Sequence, residues 1–298
     1  MQKEIVLQIN ELKKHFGQVR AVDGISIEVT RNQILGFLGP NGSGKTTTIG
    51  MILGLIHPTG GTVTLFGRPI SPTSPEPLRK VGALVGSPSL VPYLSAKENL
   101  GLAARLYPET SQRRISEVLD LIGLQKSSNQ KAGTFSTGMK QRLGLGMALL
   151  HQPELLILDE PTNGMDPSGM HEIRNMLANL ADKGVTIFLS SHLLHEIEQI
   201  CTHVAVINKG RLVAQGRVRE FVGQKAQVKI RVDSTELASQ LLHELPGSIH
   251  IRTNGDYVTV SGVSSRAVVS HLMSHGVIPS EVTNGDLDLE TVFLELIS

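Results

Sequence analysis

The chain has 298 residues, 40% apolar, 18% charged and 3% aromatic, proportions of a globular protein of about two domains rather than of a disordered, collagenous or coiled-coil chain. Lys and Arg number 28 against 27 Asp and Glu, a net charge of +1, so no general electrostatic case exists for nucleic acid or an acidic membrane surface; Trp is absent, which leaves a base-stacking surface poorly supplied. The single cysteine, Cys201, excludes an internal disulfide and a thiolate metal cluster and suits a reducing compartment.

The start of the chain has no signal-like apolar core and no run of ~20 apolar residues follows, so the sequence is expected neither to enter nor to span a membrane alone. Ile5 to Ile9, Ile25 to Val29 and Thr62 to Phe66 predict short, peripheral antiparallel strands. In contrast, Ile34 to Leu38, Leu155 to Leu158, Val185 to Leu189 and Val204 to Ile207 are continuous apolar runs, as in strands covered on both faces of a mainly parallel sheet. Helices are expected between them, notably Ile115 to Gly123 and Met170 to Lys183, giving an α/β alternation. Asn208-Lys209-Gly210-Arg211 is a turn joining two short strands, and the core pattern stops near Val222. Beyond it the order strand, helix, strand, Asn254-Gly255 turn, strand, helix, strand, helix predicts a split βαβ, ferredoxin-like tail. That tail is acidic, five basic residues against nine acidic ones.

Gly39-Pro40-Asn41-Gly42-Ser43-Gly44-Lys45-Thr46 fits G-x-x-x-x-G-K-[ST] after a buried strand and before a helix. Small residues there let backbone N–H groups converge on phosphate oxygens at a helix N-terminus. Lys45 is expected to reach the β and γ phosphates, Thr46 to ligate magnesium and Thr47 to assist through its N–H. The motif specifies a nucleoside triphosphate, not a reaction. Asp159 and Glu160 close a buried strand, where ligands bind in open α/β sheets, and Pro161 helps turn the exit. Asp159 is expected to hold magnesium and Glu160 to orient and polarise the attacking water.

The phosphate loop, then Phe135-Ser136-Thr137-Gly138-Met139-Lys140-Gln141-Arg142, then Ile157 to Pro167, then Ser190-Ser191-His192, resembles the nucleotide-binding subunit of ABC transporters over about residues 4 to 222. Within that family it looks most like the ATPase subunits of bacitracin- and lantibiotic-type exporters. The resemblance implies an α/β fold: a P-loop NTPase (ABC ATPase) domain, residues 1–222, with an antiparallel β subdomain and a helical insertion, followed by the small α+β ferredoxin-like domain, 223–298. It implies that Phe16 stacks on adenine, that Ser136 and Gly138 contact the γ-phosphate held by a second subunit, that Asp166 lies at the dimer interface, and that His192 is a switch histidine near the γ-phosphate. It implies ATP and Mg2+, a second copy or a homologous ATPase as partner, a separate integral-membrane permease, no nucleic acid, and a cytoplasmic location on the inner face of the membrane. The region Pro88 to Gly133, with Leu90, Val91, Tyr93 and Leu94, is either the permease-receiving insertion or an amphipathic core edge.

Two departures stand out. Thr137 and Met139 replace the usual Gly and Gln of the signature, and Gly86 stands where the family has a Gln or Glu that touches magnesium, with Ser87 a weak substitute. A soluble ABC-type ATPase acting on ribosomes or DNA, and a nucleotide sensor with little hydrolysis, are the rival readings. His171-Glu172 and His195-Glu196 lack the second histidine of a zinc protease, and His192 with His195 lacks a third zinc ligand. The tail offers no recognisable site and reads as a dimer-stabilising or regulatory module.

Overall fold

The computed structural model describes residues 4–71, 73–222, 226–246 and 250–286, and the chain divides into two compact units, Met1–Gln215 and Gly216–Ser298. The first begins with a hairpin of β1 (Ile5–Phe16) and β2 (Val19–Thr30). β3 (Ile34–Leu38) leads to α1 (Lys45–Ile52), β4 (Gly60–Leu65), β5 (Arg68–Pro69) and β6 (Val81–Val85). Three helices follow, α2 (Ala96–Ala104), α3 (Gln112–Leu121) and α4 (Thr137–Leu149). The remainder is β7 (Leu155–Asp159), α5 (Pro167–Asp182), β8 (Thr186–Ser191), α6 (Leu194–Ile200), β9 (His203–Asn208) and β10 (Arg211–Arg217).

Two sheets result, β2-β1-β4-β5 and β10-β9-β3-β8-β7-β6. In the first, β1 is antiparallel to β2 and β4; in the second, β3, β6, β7, β8 and β9 pair in parallel. Every residue of β3, β7 and β8 is buried, which explains their unbroken apolar runs. On β2, Ile25, Ile27 and Val29 are buried while Ser26 and Glu28 are exposed, the alternation of a sheet with one dry face. That face joins Leu35, Phe37, Ile157 and Phe188 in one core, where the rings of Phe37 and Phe188 lie 5.4 Å apart.

The hairpin is longer than the alternation implies. β1 and β2 each run 12 residues because register shifts after Ile9 and Leu12 re-aim the strand and interrupt the period of two that sequence reading depends on. β6 has no sequence signal of its own: at the end of its sheet, it carries a short mixed pattern. α5 starts three residues before the periodic segment, since Asp166 caps it by accepting the Gly169 N–H at 3.1 Å and Pro167 fits the first turn. The insertion between Pro88 and Gly133 holds α2 and α3; its Tyr93 is exposed, while Leu90, Val91 and Leu94 are half-buried.

The second unit contains α7 (Val218–Val222), β11 (Ala226–Arg231), α8 (Thr235–His243), β12 (His250–Asn254), β13 (Tyr257–Ser261), α9 (Ser265–Ser274) and β14 (Glu281–Asp286). Its sheet, in the order β12-β13-β11-β14, is antiparallel throughout, the ferredoxin-like topology. Val228, Ile230, Val258 and Val260 pack with Ala238, Leu242, Val268 and Leu272 in a core of their own. The turn between β12 and β13 falls at Gly255 and Asp256, with Gly255 at φ +58°. The last expected helix lies outside the described residues. Among the described residues no helix is long and apolar enough to cross a membrane.

His151 anchors the end of α4. Its ring stacks on Tyr107 with centroids 4.3 Å apart, and its Nε2 donates to the Val81 carbonyl at 3.1 Å. Nδ1 is buried without a hydrogen-bond partner, and burial holds the pKa below the ordinary imidazole value. The unfolded chain therefore takes up this proton first on acidification, and stability is lost as pH falls through about 6.5 and below. The melting temperature of the wild type should exceed that of His151→Phe near neutrality, and the gap should narrow as the pH is lowered to about 5.5.

Candidate active site

The phosphate-loop segment connects β3 to α1. Gly44 caps the helix at φ +108°, where a Cβ would lie 2.4 Å from the Ala21 carbonyl oxygen; one on Gly39 would lie 2.4 Å from that of Ile207. Neither position accommodates another residue without moving backbone. Gly42, at φ +79°, has open space around it. The loop is tied by Ser43 N–H to the Pro40 carbonyl at 3.1 Å and by Gly210 N–H to the Ser43 carbonyl at 2.9 Å. Asn41 and Thr46 are exposed, and Pro40 and Thr47 half-buried.

Lys45 is only 5% exposed. Its ammonium donates to the carbonyls of Gly39 at 2.9 Å and Pro40 at 3.3 Å, and lies 3.2 Å from Glu160 Oε1. The other oxygen of Glu160 accepts from His192 Nδ1 at 3.1 Å, so one carboxylate bridges the end of β7, the loop and the residue that follows β8. Its backbone turns sharply after β7, with φ +48°, an uncommon conformation for a non-glycine residue. Asp159, one residue earlier, is buried, and its Oδ1 accepts a 2.6 Å hydrogen bond from Ser190 Oγ. The two acids thus have separate surroundings although they are adjacent in sequence.

Ser190 is the residue that sequence reasoning passed over, having assigned a role only to His192. Its hydroxyl donates to Asp159 and accepts the Glu160 N–H at 3.0 Å, and its carbonyl accepts the same N–H at 3.2 Å. The available signal was two serines closing an otherwise apolar strand. Ser191 donates instead to Glu196 Oε2 at 2.9 Å and accepts the Leu193 N–H at 2.9 Å, which braces the turn carrying His192.

Other expected site residues stand apart. Ser136 caps α4 by accepting the Met139 N–H at 3.3 Å, and Asp166 caps α5. Both are exposed, and among the described residues no hydrogen bond joins either one to Lys45, Asp159, Glu160 or His192. Met165 lies between them: its methyl group would be 3.3 Å from a Cβ on Gly138. Phe16 is 52% exposed near the hairpin turn, with Lys14 Nζ 4.9 Å from its ring centroid, so it is not a core residue. Gly86 follows Val85, which pairs with Asp159; it has φ +65° and open space around its Cβ position. A side chain would fit there only at the cost of left-handed backbone.

The loop fits an anionic phosphate chain. Besides the glycine approaches, Ser43 Oγ is buried without a hydrogen-bond partner, and a cation stands next to a carboxylate and a histidine. Thr46 and Asp159 supply the hard oxygen donors that magnesium prefers. Fold and cluster together define a P-loop nucleoside triphosphatase.

Residues 22–163 match the ABC transporter family model. The bacitracin transport ATP-binding protein BcrA of Bacillus licheniformis is 46% identical over 211 residues, 70% of this chain and 69% of that protein. BcrA of Enterococcus faecalis is 34% identical over 298 residues, 99% and 97% of the two chains. Among solved structures, cbiO1 of Clostridium perfringens, part of the ABC transporter complex cbiONQ, superposes with a TM-score of 0.67 at 28% identity, covering 73% of this chain and 90% of that one. This chain belongs to the ABC transporter ATP-binding proteins, and its activity is ATP hydrolysis coupled to transport.

Ser190 acts through Asp159 and Glu160. Ser190→Ala removes a buried charge-assisted bond to Asp159 worth ~1.5–3 kcal/mol, so the melting temperature should fall by several degrees, and kcat for ATP hydrolysis, measured well below that temperature by phosphate release, should fall by about tenfold.

Proposed function

We propose that this chain binds MgATP between its own phosphate loop and the signature segment of a second ATPase subunit, hydrolyses it, and thereby drives a separate integral-membrane permease in export. The observation that carries the reading is the Glu160 carboxylate held between Lys45 and His192 at the phosphate loop. In this reading Lys45 and the loop N–H groups hold the β and γ phosphates, and Phe16 offers a face to adenine. Glu160 orients a water and accepts its proton as the water oxygen attacks the γ-phosphorus; the bond to the bridging oxygen breaks and ADP leaves. His192 holds the Glu160 carboxylate in position beside the γ-phosphate through its Nδ1–H. Thr46 and Asp159 would hold magnesium, which would neutralise charge on the phosphate oxygens.

The exposure of Ser136 and Asp166, and their separation from the Lys45 cluster, support a signature offered to a second copy or a homologous subunit rather than to the chain's own nucleotide. The switch is then two-state: ATP closes the pair, hydrolysis reopens it. The permease and the place on the inner face of the membrane rest on the family, and the cargo class, drugs, peptides or lipids, rests on the resemblance to bacitracin transport proteins. Gly86 favours a second reading, a subunit that senses ATP with little turnover, because it contributes no side chain beside Asp159.

Glu160→Gln should lower phosphate release by about 10²-fold or more while ATP binding persists; equal release by wild type and variant would instead support the sensing role. Lys45→Ala should abolish tight ATP binding measured with a fluorescent nucleotide, and unaltered affinity would contradict the assignment of the loop.

A further inference from the structure

The tail unit presents a cluster that the ATPase chemistry does not use. α8 ends at His243 and is capped by Glu244, and α9 carries His271 with His275 as its C-cap, one helical turn later. The two helices share the core residues Ala238, Leu242, Val268 and Leu272. His271 Nε2 also ties them together by donating to the Leu241 carbonyl at 2.9 Å. This brings a carboxylate oxygen of Glu244 and one ring nitrogen from each histidine within 4.8 Å of one another. The imidazole rings of His271 and His275 stand 4.7 Å apart.

We propose that Glu244, His271 and His275 form a binding site for a divalent transition-metal ion of the zinc type. Two imidazoles and one carboxylate are the donor set of zinc, cobalt, nickel and copper rather than of magnesium or calcium, which take oxygen ligands. The site is thus chemically distinct from the one expected for MgATP. Bonds of ~2.0–2.2 Å at tetrahedral angles place ligand atoms about 3.4 Å apart, so the cluster has to contract by little more than one ångström. Glu244 and His275 are exposed, and rotation of their side chains supplies that movement.

The ring hydrogen bonds favour the same assignment. Nδ1 of His275 lies 2.8 Å from the His271 carbonyl. A carbonyl only accepts, so this nitrogen and Nε2 of His271 carry protons, and the other nitrogen of each ring keeps a lone pair. An imidazole whose N–H is held by a backbone carbonyl is the arrangement that orients histidine ligands in metal sites. Three protein ligands leave a fourth position for water or a donor from another molecule, and the acidic balance of the tail favours a cation. A bound ion would staple the C-terminal ends of α8 and α9.

Zinc chloride titrated into the full-length, nucleotide-free protein should show calorimetrically a site of one ion per chain, accompanied by a rise in melting temperature. His275→Ala and Glu244→Gln change exposed side chains and should each weaken that site by about tenfold or more, since loss of even a supporting contact to a ligand costs 10–100-fold. His271→Ala also removes the bond to Leu241, so those two variants carry the test. His243→Ala, a neighbouring exposed histidine outside the cluster, should leave the isotherm unchanged. Cobalt(II) in place of zinc should give the visible bands of a four- or five-coordinate ion in wild type and lose them in His275→Ala. Zinc isotherms that are the same for wild type, His275→Ala and Glu244→Gln, or no binding at all, would overturn the proposal.

Discussion

Parallel pairing of β3 with β8 and of β8 with β7, in a register that sets Leu38 level with Ser191 and Ser190 level with Asp159, is the constraint on which the site depends. Parallel strands end on the same edge, so the phosphate loop after β3, the acids closing β7 and the histidine after β8 emerge side by side. A shift of two residues in the β8–β7 pairing would carry Ser190 about 7 Å from Asp159, and a shift in either pairing would separate Lys45 from Glu160. The register is in turn held by apolar strands buried along their whole length, with Phe37 and Phe188 in contact across the β3–β8 pair. Core and chemistry are therefore one problem: the residues that pack the sheet are those that align its functional edge.

The charges at that edge, Lys45 and Asp159 buried and Glu160 and His192 half-buried, are held by satisfying one another. Lys45 spends its ammonium on two loop carbonyls and Glu160, Glu160 divides its oxygens between Lys45 and His192, and Asp159 is met by Ser190. Removing one partner leaves a buried charge exposed to its full desolvation cost, whereas the intact set is stable. The positive φ at Glu160 belongs to the same arrangement: the chain must turn out of β7 at once if the second acid is to face the loop rather than the opposite side of the sheet. Ser190 pins both sides of that turn.

The two compact units divide the protein's problems. The first holds the nucleotide chemistry on a parallel edge; the second is an antiparallel sheet that packs α8 and α9 in a core of its own, and among its described residues Glu244, His271 and His275 gather where those two helices end. Gly86 shows how the cassette varies within its fold. It sits at the end of β6, next to the Asp159 strand, in a backbone conformation suited to glycine, and offers no side chain beside Asp159.

Local sequence determined a large part of this. Continuous apolar runs marked the buried strands, because a strand covered on both faces has no polar period to display. The G-x-x-x-x-G-K-T segment and the Asp159-Glu160 pair announced phosphate chemistry, since close backbone approach and adjacent acids leave a residue-by-residue trace. The split βαβ order of the tail was legible for the same reason: its elements are short and punctuated by turns. What only the tertiary structure decided depends on groups distant in the chain. The length of the first hairpin was hidden by bulges, and β6 by its mixed pattern at the sheet end. The sharing of Glu160 between Lys45 and His192, the double hydrogen bond of Ser190, and the meeting of Glu244 with His271 and His275 each join residues far apart in sequence. No local pattern encodes them, because strand register and helix packing set those distances.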